Sequence, residues 1–257
     1  MSVMRCLAAC LVVFAVSSCV LAQTARFTML EAAPDWDDLV RPSVVMAEVL
    51  TDTPAYSSWD GGGSRTCTFH AGETVEVVRD HGFQWYLIRA GDGREGWVRD
   101  GTLAIPSDPE TNSYRLPRRL VEEYVNVRGF TSKTDQLVWV DLDRQLTHVF
   151  TGGQGSWELV RTMLCATGRN ISPTIRGLHE IAERGEWFYV ESSGQGAENW
   201  VRFHGPYLFH GLPMDKEHTI LDFTLGQRRS AGCIRLSMED ARWFYSFIKR
   251  GTTVFVY

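Results

Sequence analysis

Over residues 73–78, Glu73-Thr74-Val75-Glu76-Val77-Val78, polar and apolar side chains alternate, and this period of two predicts a half-buried strand. A first strand is expected over 44–50. Two more, Trp85-Tyr86-Leu87-Ile88-Arg89 and Arg94-Glu95-Gly96-Trp97-Val98, flank the glycine-rich turn Ala90-Gly91-Asp92-Gly93 and read as a hairpin. After residue 130 apolar runs of strand length recur: 136–143 and 146–151 around Arg144-Gln145, then 157–166, 177–182, 187–191, 207–210 and 252–256. One helix is well marked. Ser237 can cap it, Asp240 completes a capping box, and Ala241, Phe244, Phe247 and Ile248 recur at helical spacing. Lys249 and Arg250 suit its C-terminal end, and Gly251 is expected to stop it. The fold class predicted is mainly β: a small barrel, then a β-rich domain with one well-defined helix.

The expected organisation has five parts. After a basic start at Arg5, residues 6–20 are apolar and uncharged, and Val20-Leu21-Ala22 puts small residues at the −3 and −1 positions of a cleavage after Ala22. This describes a secretory signal peptide over 1–22, too short for a comfortable span of about 20 apolar residues. Val16-Ser17-Ser18-Cys19 offers a competing lipoprotein reading, in which lipidated Cys19 would anchor the protein to a membrane. Residues 23–42 read as a tether, 43–105 as the barrel, 106–129 as a linker with a helical turn or strand over 120–127, and 130–257 as the second domain. Trp85 and Trp97 are expected mainly as core of the barrel.

Composition narrows the chemistry. A formal net charge of −5 argues against a nucleic-acid partner. Three of six cysteines fall in the leader, which leaves Cys67, Cys165 and Cys233, an odd number, so at least one free thiol is expected. A bridge between Cys67 and Cys165 stays open beside the reading of both as small buried hydrophobes.

Cys233 is different. It lies in Ser230-Ala231-Gly232-Cys233-Ile234-Arg235-Leu236, a loop poorly suited to packing and well suited to holding a thiolate near main-chain amides. A thiol needs a base to become nucleophilic, and His210, at the end of Tyr207-Leu208-Phe209, is the candidate. Gly232 permits unusual backbone angles, and the amides of Gly232 and Cys233 are candidate oxyanion donors. His70, His81, His148, His179, His204 and His218 are read as structural. No paired Cys-x-x-Cys or His motif supports a metal, and no cofactor is expected.

His210 followed by Ser230, Gly232, Cys233, Ile234 and Arg235 resembles the signature of the L,D-transpeptidases. Ala166-Thr167-Gly168, Ser172-Pro173-Thr174, Arg176-Gly177 and the last strand also fit this pattern. Ala231 stands where that family often has histidine. The resemblance implies an exported enzyme acting on peptidoglycan stem peptides through a Cys233 thioester. It joins third stem residues when an amine resolves the thioester; with water it is an L,D-carboxypeptidase. A non-catalytic wall-binding protein is the rival of another class. The resemblance further implies that His210 is oriented by a main-chain carbonyl near Gly211. Ser230 is expected to hydrogen-bond the loop or the thiolate region, and Arg235 to bind a stem carboxylate or to brace the loop through carbonyls. Residues 213–225 are expected as a lid or loop over the site. Residues 43–105, through Ala71-Gly72-Glu73, Trp85-Tyr86-Leu87-Ile88 and Gly96-Trp97-Val98, are similar to bacterial Src-homology-3-like domains, which implies a targeting module.

Overall fold

The computed structural model describes residues 34–257; the expected leader, Cys19 and most of the tether lie outside the described residues. Two compact units divide the chain at Leu39 and Val40. The described part of the first holds a single helical turn, α1 (Trp36–Leu39), where the Asp35 carboxylate accepts the Asp37 amide at 3.1 Å.

The second unit contains two sheets. The first has seven antiparallel strands: β1 (Met46–Val49), β2 (Thr53–Tyr56), β3 (Arg65–Phe69), β4 (Thr74–His81), β5 (Trp85–Ala90), β6 (Glu95–Arg99) and β7 (Leu103–Ala104). Their order is β3-β2-β6-β5-β4-β1-β7. Alternate residues turn inward, as the period of two requires, and Val45, Val49, Phe69, Val75, Val77, Tyr86, Ile88 and Val98 form the core. Trp85 and Trp97 are buried but stand outside that cluster. Each lies under a guanidinium, Arg99 at 4.3 Å and Arg79 at 5.1 Å from the ring centres. Trp97 follows Gly96 and precedes the core residue Val98, so the pleat sends it to the opposite face.

Part of the expected linker belongs to the second sheet. Helix α2 (Arg118–Val127) buries Val121, Tyr124 and Val125. Its Glu122 carboxylate accepts the Leu159 amide at 2.9 Å, and Asn126 accepts the Trp157 amide at 2.7 Å. The sequence left this segment open because its apolar positions fit one helical stripe but lie in a polar surround.

The second sheet has nine strands: β8 (Gln136–Asp141), β9 (Leu146–Thr151), β10 (Glu158–Ala166), β11 (Gly177–Glu180), β12 (Arg184–Val190), β13 (Gln195–His204), β14 (Tyr207–His210), β15 (Ile234–Leu236) and β16 (Thr253–Val256). The order is β11-β16-β8-β9-β10-β15-β14-β13-β12. Two pairings are parallel, β14 with β15 and β16 with β8. Neither β13 nor β15 was expected. The former carries Gly196, Glu198 and Asn199 and lacks a clean alternation; the latter has three residues and follows a loop.

Helix α3 (Met238–Phe247) starts as expected, with Ser237 Oγ accepting the Asp240 amide at 3.0 Å. It stops before Gly251. Ile248 is extended and buried, and Lys249 donates its amide to Gln136 Oε1 at 2.8 Å, so tertiary contacts end the helix first. Ala241, Phe244 and Ile248 join the apolar core beneath β14 and β15.

Polar pairs tie β4 and the segment after β7 to the loop between β10 and β11. Ser172 Oγ donates to Asp80 Oδ1 at 2.6 Å, Arg176 pairs with Glu76 at 2.7 Å, and the Asn170 amide donates to Asp108 at 2.6 Å.

Candidate active site

Parallel pairing sets Phe209 beside Ile234 and His210 beside Arg235. Phe209 and Ile234 both point into the core. Successive side chains alternate across a sheet, so His210, Cys233 and Arg235 share the opposite face, with Cys233 and His210 as diagonal neighbours across the β14–β15 pair. Topology thus brings together two residues far apart in sequence.

His210 is buried, and its Nδ1 lies 2.6 Å from the Gly211 carbonyl oxygen. A carbonyl only accepts, so Nδ1 carries the proton and Nε2 of the neutral ring is left as the acceptor. Burial drives the imidazole pKa down to about 4; the Gly211 carbonyl opposes the shift and Arg235 adds to it. The ring is therefore neutral near pH 7. Phe188 meets it edge-on at 5.7 Å. Gly211 has little spare room: a Cβ would come within 3.0 Å of Met238 Sδ.

Cys233 is half-buried, with Sγ 3.8 Å from the Pro206 carbonyl oxygen. Desolvation pushes its thiol up, against a smaller opposing pull from the Leu208 amide and the charges of Arg235 and Arg202. The resting pair is thus thiol and neutral imidazole, not an ion pair.

The cysteine loop is held on three sides. Ser230 Oγ donates to the Cys233 carbonyl at 2.5 Å and accepts the Gly232 amide at 3.1 Å. Thr174 Oγ1 donates to the Gly232 carbonyl at 2.8 Å and accepts the Gly168 amide at 2.9 Å. At Gly232 φ is +99°, and a Cβ there would lie 2.5 Å from the Tyr207 ring. Only glycine fits both the angle and the space. The Gly232 amide, expected as an oxyanion donor, is already committed to Ser230, which leaves the Cys233 amide as that loop's candidate.

Arg235 is paired with a carboxylate of the chain itself. Its guanidinium pairs with Asp222 at 2.9 Å, and Asp222 also holds Arg229 at 2.9 Å. Hydrogen bonding from Thr224 and Arg229 keeps the Asp222 carboxyl well below the usual range. Sequence reasoning missed Asp222, which lies in no informative spacing, and placed Thr174 in a quoted motif without assigning it a role in holding the loop. Asp222 sits in the segment expected as a lid, which is itself folded back: Met214 bridges to both Gly196 and Ile220. His218 is stacked on Trp187 and bonded to Glu198, and His204 lies against His179 and Tyr207, so both have other partners. Among the described residues, no group of three or more His, Cys, Asp or Glu has metal-binding geometry, and Cys67, Cys165 and Cys233 are all free thiols.

Residues 135–256 match the model of the YkuD family, the L,D-transpeptidase catalytic domain. Over those residues the second sheet is similar to that catalytic domain. A putative L,D-transpeptidase, YciB of Bacillus subtilis (strain 168), is 35% identical over 130 residues. The match covers 46% of this chain and 65% of that protein, so this chain spans just under two thirds of its curated relative. Among solved structures, a fused zinc-dependent amidase/peptidase/peptidoglycan-binding domain-containing protein from Clostridium acetobutylicum is 27% identical with a TM-score of 0.48, covering 57% of this chain and 66% of that one. An L,D-transpeptidase from Mycobacterium smegmatis is 17% identical with a TM-score of 0.39, covering 68% and 67%. The YkuD match begins at β8 and ends at β16, and contains every site residue named above.

Proposed function

We propose that this protein is an exported peptidoglycan L,D-transpeptidase that works through a Cys233 thioester. The observation that carries the reading is the Nδ1–Gly211 hydrogen bond, which leaves His210 Nε2 basic on the face it shares with Cys233.

His210 Nε2 takes the thiol proton as Sγ attacks the carbonyl carbon of the third stem residue. The Cys233 amide stabilises the oxyanion. As the carbon–nitrogen bond breaks, the imidazolium returns its proton to the leaving amine, and the terminal D-alanine departs. A stem amine then attacks the thioester, gives its proton to His210, and the proton returns to the departing sulfur. No net charge is built up in the resting site, which fits a buried histidine with a depressed pKa. Ser230, Gly232 and Thr174 fix the loop, and Gly211 orients the base. The seven-stranded sheet is read as a Src-homology-3-like module that holds the enzyme at the cell wall, and the leader as an export signal.

Muropeptide analysis after incubating purified protein with cell wall tests the reading. Dimers joined between third residues, absent with Cys233→Ser, are expected. Trimmed tripeptides alone would make it an L,D-carboxypeptidase, and an unchanged wall would leave a binding protein.

A further inference from the structure

Several cations near the site are already neutralised. Arg235 is paired with Asp222, and Arg202, whose charge reaches Cys233, is paired with Glu183 at 2.7 Å. Arg176, in the loop before β11, is paired with Glu76. An acyl-transfer site that expels a C-terminal residue must nonetheless accept a free carboxylate on its substrate.

Among the described residues Arg79 is not neutralised in this way, and neither is Arg169, whose amide donates to the Ser230 carbonyl, nor Arg228, which bonds Ser43 and the Gly168 carbonyl. Arg79 is half-buried on β4, and among the described residues no carboxylate lies within ion-pairing distance. Its neighbour Asp80 does not serve, being engaged by Ser172 Oγ at 2.6 Å and the Phe83 amide at 2.9 Å. The register breaks between Val77 and Arg79, and such a bulge re-aims the side chains that follow. The guanidinium lies over Trp97, 5.1 Å from the ring centre, which fixes the fork while leaving its donors free. Asp80 pins this end of β4 to Ser172, next to the Pro173–Thr174 turn that braces Gly232. The charge of Arg79 reaches His204 and Tyr207, at the β13–β14 turn whose Pro206 faces Cys233 Sγ.

We propose that Arg79, contributed by the N-terminal sheet, receives a carboxylate of the peptide bound at Cys233. The inference rests on the acyl-transfer reading above and assigns a substrate contact to a domain otherwise read as a targeting module. Arg79 is a specificity-determining residue, and the planar guanidinium suits a bidentate carboxylate.

The test uses full-length protein, the tetrapeptide L-Ala-D-Glu-L-Lys-D-Ala, and its C-terminal amide. Binding is measured on a Cys233→Ala background, so that no turnover is needed. With Arg79 in place, the protein is expected to prefer the acid over the amide by roughly tenfold or more, the scale of one charged hydrogen bond. Arg79→Gln should abolish that preference with little change in amide binding, and Arg79→Lys should keep part of it. An Arg79→Gln protein that prefers the acid as strongly as the unsubstituted one would overturn the proposal. So would binding of both peptides lost together, with Arg79→Lys no better. Intact discrimination in binding, but no thioester formed by protein retaining Cys233, would instead sink the acyl-transfer reading and leave the carboxylate site standing.

Discussion

Two cysteines sit at neighbouring strands of the same sheet, and their surroundings differ completely. Cys165 lies near the end of β10 with Leu236 opposite it in register, fully buried, its thiol pushed up to about 12 by desolvation. Cys233 enters β15 from a loop bent at a positive-φ glycine, half-buried, with a carbonyl and an amide near its sulfur. The first is a packing unit that happens to contain sulfur. The second has room on one side and a base along the sheet face. On the proposed reading, the difference in reactivity comes from what the backbone does before the cysteine, not from the cysteine itself.

The largest separation is expected in turnover. Cys233→Ser should abolish cross-linking, a loss of roughly a thousandfold or more. Cys165→Ala should retain wild-type rates. Retained activity in the first variant, measured by muropeptide dimer formation, would remove Cys233 from the mechanism.

Next comes the glycine that distinguishes the two settings. Gly232→Ala places a Cβ at 2.5 Å from the Tyr207 ring and imposes φ +99° on a residue that avoids it. The loop must shift, and a displacement near 1 Å costs about a hundredfold in rate. The expected signature is a lower kcat with native secondary structure by circular dichroism. Gly226→Ala serves as the control. It is also at positive φ, but its nearest neighbour is the flexible Leu164 side chain at 3.5 Å.

Alkylation distinguishes the thiols by pH. A raised pKa means less thiolate than an ordinary cysteine holds at pH 7, so labelling of Cys233 by iodoacetamide should be slow there and climb about tenfold per pH unit. Cys165 should stay unlabelled until the protein unfolds. The acid side belongs to His210. Protonation at Nε2 removes the base, and burial has moved that event down to about pH 4. The acid limb of kcat/KM should therefore appear near pH 4, where an exposed histidine would place it near 6.5. A limb at about 6.5 would show that His210 is solvated in the working enzyme.

The comparison also explains what could be read in advance. Strand alternation, apolar runs and turn residues are local properties, so β4, β5, β6, β8 and β9 were legible from their residues. Likewise local were the Ser237 cap and the glycine beside Cys233. The parallel pairing of β14 with β15 was not, because it depends on strands remote in sequence; the link from His210 to Cys233 rested on the thiol's need for a base and on the family resemblance. Asp222 stayed hidden for the same reason. A carboxylate in a polar loop is unremarkable until folding brings it between two arginines. The misread end of α3 is a case in which tertiary contacts at Ile248 and Gln136 override a good local stop signal at Gly251.

Asp222 yields a smaller effect of the same kind. Asp222→Asn keeps the shape and removes the charge that holds Arg235 and Arg229. The freed Arg235 cation remains next to the cysteine loop, so about a tenfold loss in kcat/KM is expected. Because an unpaired cation near Sγ favours thiolate, alkylation of Cys233 should become faster at pH 7 even as turnover falls. Parallel loss of both would mean that the loop has simply disordered.

The smallest effect returns to Cys165. Its side chain packs in the core with Val149 and Met163 and touches no solvent. Cys165→Ala removes one sulfur's worth of contact and should cost about 1 kcal/mol of stability, read as a lower denaturation midpoint with an unchanged denaturant slope. The same substitution at Cys233 should cost less stability, since that side chain is partly solvated. A native fold with no activity in one variant, and full activity with a weakened fold in the other, is the pattern expected if one thiol serves packing and the other chemistry. If Cys165→Ala also slowed turnover, the effect would have to pass through the β10–β15 ladder, where Cys165 opposes Leu236 and Ala166 opposes Arg235. Arg235 would then be coupled to the core more tightly than its ion pair with Asp222 alone requires.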